Sequence, residues 1–187
     1  MKHEIQNNEN TQLCAECGGK CCKHYGGFYH PSDFDTVDLE PLSTLIDEGG
    51  ISIDWYNCAD GSRGYFLRAR HVGGGVIDPS FGGQCVHLTE TGCDLPFEKR
   101  PYGCRRLVPS EGSVCKEGSY KKLEAWHDWE PYMDILVMLE DKYSDSLTIS
   151  GNPADEFKEL LQNFFFLLDP DELNLFLLDP GELNSNR

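Results

Sequence analysis

The chain has 187 residues, 39% of them hydrophobic and 11% aromatic, which sets it apart from disordered chains and suits one domain with a helical tail. Thirty-two Asp and Glu against 16 Lys and Arg give a formal net charge of −16. That field repels phosphate backbones and anionic lipid, so nucleic acid is not an expected partner unless a local basic patch at Arg100, Arg105 and Arg106 overrides it.

The opening residues, MKHEIQNNEN, lack the apolar core of an export signal, and no later stretch reaches the ~18 to 20 apolar residues that span a bilayer. The expectation is a cytoplasmic chain with no membrane partner. The fold class expected is α+β: a small, irregular, cysteine-rich domain stabilised by metal, with a short antiparallel sheet and C-terminal helices. Its divisions are a disordered N-terminus at 1–12, a cysteine-cluster domain at 13–145 and a helical segment at 146–187 packed on it or extending from it.

In chain order, residues 1–12 are polar and Asn-rich, without periodicity. From Cys14 to Tyr29 the sequence CAECGGKCCKHYGGFY is dense in Gly and Cys, the composition of a loop that bends sharply around a bound ion. Pro31, Ser32 and Asp33 supply helix-start chemistry. Phe34, Val37, Leu42, Leu45 and Ile46 form an apolar stripe that Gly49 and Gly50 end, which predicts one helix or a helix broken at Pro41.

Residues 51–57 (ISIDWYN) and 64–72 (GYFLRARHV) alternate apolar with polar, with Asp60-Gly61 between them, and so predict a hairpin. Residues 73–118 hold glycines, prolines and four cysteines with no long periodic run, so something besides apolar packing must fix them. Beyond Lys121, Trp126, Trp129, Met133, Leu136, Val137 and Glu140 recur at helical spacing, with Pro131 either starting a helix or kinking a longer one.

Asn152-Pro153-Ala154-Asp155 reads as a cap, a proline at the first helical position and an acidic first turn, leading into Phe157, Leu160, Leu161, Phe164, Phe165 and Leu168. LLDPDELN at 167–174 returns as LLDPGELN at 177–184, each with an Asp cap, a Pro and a Glu three residues past the cap. Capped packing helices are favoured there over a tail that binds a protein partner.

The chemistry is carried by cysteine. In a reducing cytosol, nine cysteines more often bind metal than pair with one another. Cys14, Cys17, Cys21 and Cys22 fall within nine residues, and Cys85, Cys93, Cys104 and Cys115 supply a second set that the fold must bring to the first. Thiolates suit zinc or an iron-sulfur cluster and not calcium or magnesium, and the spacing leaves those two open. In extended backbone the neighbours Cys21 and Cys22 point to opposite sides, so the expectation is that they serve different metals or that only one is a ligand. His24 and His87 each lie two residues from a cysteine, within reach of a supporting role, although a lone histidine is more often structural. Cys58 lies on a predicted strand and reads as a buried apolar thiol.

CAECGGKCC followed by GGQCVHLTETGCDLPFEKRPYGCRRLVP at 82–109 resembles the CxxCxxCC family, the YkgJ-like cysteine-cluster proteins described as zinc- or iron-chelating domains. The matching positions are Cys14, Cys17, Cys21 and Cys22, then Cys85 and Cys93, then Arg100, Pro101, Cys104 and Arg105, with Cys115 where family members often carry one further cysteine. One departure is the spacing of Cys17 and Cys21, separated by Gly18, Gly19 and Lys20 where the family has two residues.

Arg100 and Arg105 beside Cys104 are the candidate cofactor-binding side chains, since guanidinium groups offset the charge of thiolates; surface salt bridges are the bland alternative. The resemblance implies a metal-binding protein whose site is mainly structural or electron-storing. Flagellin lysine methylases contain a similar cluster, so a metal-dependent protein-modifying enzyme is the alternative, although no nucleotide loop, nucleophile elbow or HExxH is present. Catalytic residues are unknown at this level. A third reading is an interaction protein that uses the acidic surface and the repeated tail to hold a protein partner.

Overall fold

The computed structural model describes residues 12–13, 16, 18–24, 26–58, 60–79, 83–109, 115 and 118–146. The chain divides between residues 148 and 149, and every described residue lies before that division. The expected helix after Asn152 and the LLDP repeats therefore lie outside the described residues, as does most of the expected N-terminal tail.

The expected α+β mixture is present. The elements with described bounds are the helices α1 (Lys20–His24), α2 (Leu39–Asp47), α3 (Tyr102–Arg105), α4 (Lys122–Trp129) and α5 (Met133–Lys142) and the strands β1 (Ile51–Asn57), β2 (Arg63–Ala69), β3 (Leu88–Thr89) and β4 (Gly92–Cys93). None of the described helices is long and apolar enough to cross a membrane.

β1 and β2 form the antiparallel hairpin, with Ile53 opposite Leu67 and Trp55 opposite Tyr65. The first strand has its expected bounds. The second starts one residue earlier than the pattern suggested and stops at Ala69, because Arg70 turns away and donates from its guanidinium to the carbonyls of Ile46 and Ile51. Gly61, at φ +83°, takes the left-handed turn, and the Asp60 carboxylate accepts from the Ser62 N–H and hydroxyl. Single bridges widen the hairpin on both edges: Ile77 runs parallel to Ile53, and Phe28 pairs antiparallel with Arg68.

Pro31–Asp33 forms a single 3-10 turn and the chain then runs extended to Asp38, so the expected helix begins only at Leu39. The break falls before Pro41, which lies in the first turn of α2, where a backbone N–H needs no helical partner. Leu42 and Ile46 face inward and are wholly buried. α4 and α5 are joined through a 3-10 turn at Glu130–Tyr132, so Pro131 bends one helical run rather than starting a separate one.

Trp129, Leu136 and Leu139 from that run are fully buried, and the Trp129 indole donates to the Tyr29 carbonyl at 2.8 Å. Each wholly buried side chain of this size contributes about 1.5–3 kcal/mol. The Tyr143 hydroxyl ties the end of α5 to α2 through the Ser43 carbonyl and Asp47.

α4 covers the hairpin face that carries Asp54, Tyr56 and Phe66. Trp126 lies parallel to the Tyr56 ring at 5.4 Å, over Gly64, where a Cβ would come within 2.0 Å of the indole nitrogen. Deeper on this face Arg68 is 1% exposed. Its guanidinium meets Asp78 at 2.8 Å and Asp54 at 3.3 Å and donates to the Asp78 carbonyl, while Lys122 from α4 reaches Asp54 at 3.0 Å. Two cations thus face two anions, and the group closes electrically neutral.

His71 completes it, with both ring nitrogens within 3 Å of the Arg68 guanidinium. Burial, and then the Arg68 charge, lower the His71 pKa to about 4.

Removing one member of this group strands the others as uncompensated buried charges. Arg68→Met should therefore lower the unfolding free energy in urea by about 3–5 kcal/mol. A loss under about 1 kcal/mol would show the pairs to be dispensable. His71 folds neutral but titrates near 6.5 when unfolded, so below that value the unfolded state binds the extra proton. Its stability contribution, present above pH 6.5, should fade as pH falls toward 4, by up to about 3 kcal/mol. Burial raises the pKa of Asp54, which opposes that trend at the acid end. Denaturation across this range should thus show a slope in the unaltered chain that His71→Gln lacks.

Candidate metal centre

Five thiols come together from four segments. Gly18 and Gly19, both in the left-handed region at φ +64° and +67°, turn the chain into α1. On α1 the neighbours Cys21 and Cys22 sit with their sulfurs 4.0 Å apart. The expectation that they point to opposite sides presumed extended backbone; the segment is helical, and successive side chains there diverge by only about 100°. The separation is close to the ~3.8 Å edge of a tetrahedral site with metal–sulfur bonds of ~2.3 Å.

Cys85 is buried and its N–H donates to the Cys22 carbonyl at 2.7 Å, fastening the second cysteine segment to the first. Cys93 lies on β4, opposite Leu88 of β3 in a two-pair ladder. Cys104 lies on α3, whose first backbone N–H donates to Asp33 at 2.8 Å, while the Gly103 N–H donates to the Phe28 carbonyl at 2.9 Å.

The thiols act on one another electrostatically. Burial first, and then the charges of Cys85, Cys21 and Cys93, push Cys104 well up. Burial raises Cys85 and Cys93 as well. The contact between Cys21 and Cys22 favours a thiolate at Cys21 and holds the proton on Cys22. Opposing these effects, backbone N–H groups are directed at sulfur: Gly27 at Cys104, His87 at Cys85 and Leu95 at Cys93. Burial and like charge disfavour ionised sulfur, and the amides favour it, as would a cation.

The all-sulfur donor chemistry fits a thiophilic ion or an iron-sulfur group and excludes a hard cation as the main occupant. Among the described residues, however, no three His, Cys, Asp or Glu side chains form a group that could hold a metal ion. The five sulfurs are neighbours rather than a closed ligand shell. Cys14 and Cys17 lie outside the described residues.

Of the two arginines, Arg100 hydrogen-bonds Cys93, where its charge works against the larger upward push of burial, and also donates to the Leu95 carbonyl. Arg105 is paired with Asp33 instead. Asp33 also accepts from the His30 and Tyr102 N–H groups, and burial nevertheless raises its pKa. Cys115 is half-buried. Cys58 is half-buried too, but it follows β1 at the hairpin turn rather than lying on a strand. All seven described cysteines are free of disulfides.

His87 binds Asp94 at 3.1 Å through Nδ1, and the side chain of His24 is not among those described. A cleft of about 700 Å3, with no cysteine among the described residues of its lining, is bounded by Tyr29, Phe34, Glu48, His87, Leu95 and Lys99.

Sequence reasoning missed the groups that support this region. Gly26 and Gly27 were read only as part of a bending loop, and Asp54, Arg68, His71, Asp78 and Lys122 were given no role. The available signal was a charged residue at an interior position of each predicted strand, Asp54 in ISIDWYN and Arg68 in GYFLRARHV. No family model, curated protein or solved structure matches the chain.

Proposed function

We propose that this is a metal-binding protein of the YkgJ-like kind, in which Cys21, Cys22, Cys85, Cys93 and Cys104 hold zinc or an iron-sulfur group, with Cys14 and Cys17, close before them in sequence, as further ligands. The observation that carries the reading is the gathering of five free thiols from four segments, three of them with a backbone N–H directed at the sulfur. Bound there, zinc would supply a rigid cross-link between these segments, and an iron-sulfur group would supply an electron store. Residues 83–109 contain only two-residue strands, one 3-10 turn and the four-residue α3, too little regular structure to fix three cysteines by packing alone.

The role proposed is structural or electron-storing rather than hydrolytic. A hydrolytic zinc keeps one position for water and is usually held by His or carboxylate, whereas a full thiolate shell places so much negative charge on the ion that it polarises water poorly. Arg100 offsets part of that charge at Cys93.

Protein purified without oxygen should carry zinc and be colourless, or carry iron with sulfide and show a broad visible absorption band. A folded preparation with no bound transition metal, or with its central cysteines in disulfides, would overturn the reading. Cys17→Ser and Cys104→Ser should each release metal and expose residues 73–118 to protease, while Cys58→Ser should leave the metal content unchanged. Equal dependence on Cys58 would mean that the cysteines have been divided wrongly.

A further inference from the structure

Two of the cysteine-bearing segments rest on the same buried imidazole. The His71 Nε2 atom accepts from the Gly26 N–H at 2.9 Å, so the ring proton sits on Nδ1, on the side of Asp78. Next in the chain, Gly27 directs its own N–H at the Cys104 sulfur. There is no slack at either glycine. A Cβ on Gly26 would lie 2.0 Å from the Ala69 carbonyl oxygen, and one on Gly27 would lie 2.2 Å from the Cys104 sulfur.

On its other side His71 meets the segment that carries Cys85. A Cβ on Gly83 would come within 2.8 Å of the imidazole Cγ, and backbone hydrogen bonds Val72 to Gln84 and Val86 to Arg70 hold the two stretches together. His71 is itself held by Arg68, whose guanidinium donates to Nε2 at 2.7 Å.

From this geometry we infer that His71 is a positioning residue of the thiol centre, setting Cys104 through Gly26 and Gly27 and bracing the segment of Cys85. The inference rests on the proposed metal-binding reading. It assigns to the Arg68 group a second task, which is to transmit the rigidity of the sheet to the ligands.

Two substitutions separate this role from simple structural support. Glutamine places a side-chain acceptor near the position of Nε2 and can still receive the Gly26 N–H. Asparagine is shorter, reaches only the position of Nδ1, and leaves that N–H without its acceptor. The full-length chain, reduced and stripped of metal, is titrated with Zn2+ against a competing chelator, and the spectrum of the Co2+ form is recorded alongside.

His71→Gln should bind Zn2+ like the unaltered chain, whereas His71→Asn should bind it about ten- to a hundredfold more weakly with an altered Co2+-thiolate spectrum, a loss larger than its lowered melting temperature accounts for. Equal affinity and spectra for both variants, or losses that merely follow their melting temperatures, would overturn the inference while leaving the metal reading in place. If the unaltered reduced chain binds neither ion, both fall together. Should His71→Asn fail to fold, Gly27→Ala decides: its Cβ must displace the Cys104 sulfur, and Zn2+ binding equal to that of the unaltered chain would sink the proposal.

Discussion

The Arg68 guanidinium is the constraint around which the described fold is arranged. A charge that is 1% exposed can be kept only if opposite charge and acceptors surround it, and three separate stretches supply them: β1 through Asp54, the chain after β2 through His71, and the loop that brings Asp78. Lys122 then balances Asp54 from α4. Burial lowers the Lys122 pKa and raises that of Asp54, so each holds the other in its charged form against desolvation. An apolar cluster of this volume would contribute as much stability. What the charges add is orientation, because a guanidinium fork accepts its carboxylates in few geometries.

The thiols present the opposite electrostatic problem. The charge group neutralises itself within the chain, but among the described residues the five neighbouring sulfurs have Arg100 at Cys93 and the already paired Arg68 acting on Cys85 as their guanidinium relief. Left as thiols they are compatible with burial, as the raised Cys85 and Cys104 show. Ionised, they repel one another, and a chain with a net charge of −16 offers little general relief. The thiophilic cation proposed above would remove both difficulties, since it would displace the protons and join the sulfurs it neutralised. Metal affinity and the folding of residues 83–109 would then be two expressions of one free energy.

Legibility from sequence followed the regularity of the local physics. The hairpin could be read because period-two alternation and Asp60-Gly61 are local signals, and β1 took its predicted bounds. The helical run after Lys121 was read from its spacing, yet Pro131 left two geometries open because a proline tolerates both a start and a bend. The stretch after Pro31 was read as one helix or a helix broken at Pro41, whereas the helix begins only at Leu39; Asp33 is occupied by the Tyr102 N–H and Arg105, contacts sixty-nine and seventy-two residues distant that no local window contains. Cys21 and Cys22 were placed on extended chain because glycine density suggests a loop, and the short helix after Gly18-Gly19 reverses that geometry. Arg68 escaped because an arginine in an alternating strand is ordinarily solvated.

Glycine is what lets the two systems share backbone. Gly26 and Gly27 pass between the end of β2 and α3, with the Gly27 carbonyl accepting from the Ala69 N–H on one side and the Cys104 sulfur close on the other. Any side chain at Gly27 would fill the space the sulfur occupies. Sheet and thiols can approach this closely only where the chain between them has no Cβ, and the closeness is what places an amide at hydrogen-bonding range of sulfur. A Cys-Cys pair with two glycines before it and two more shortly after is therefore more than a flexible tether. The first glycine pair turns the chain to present two sulfurs side by side, and the second carries the sheet to the edge of the site.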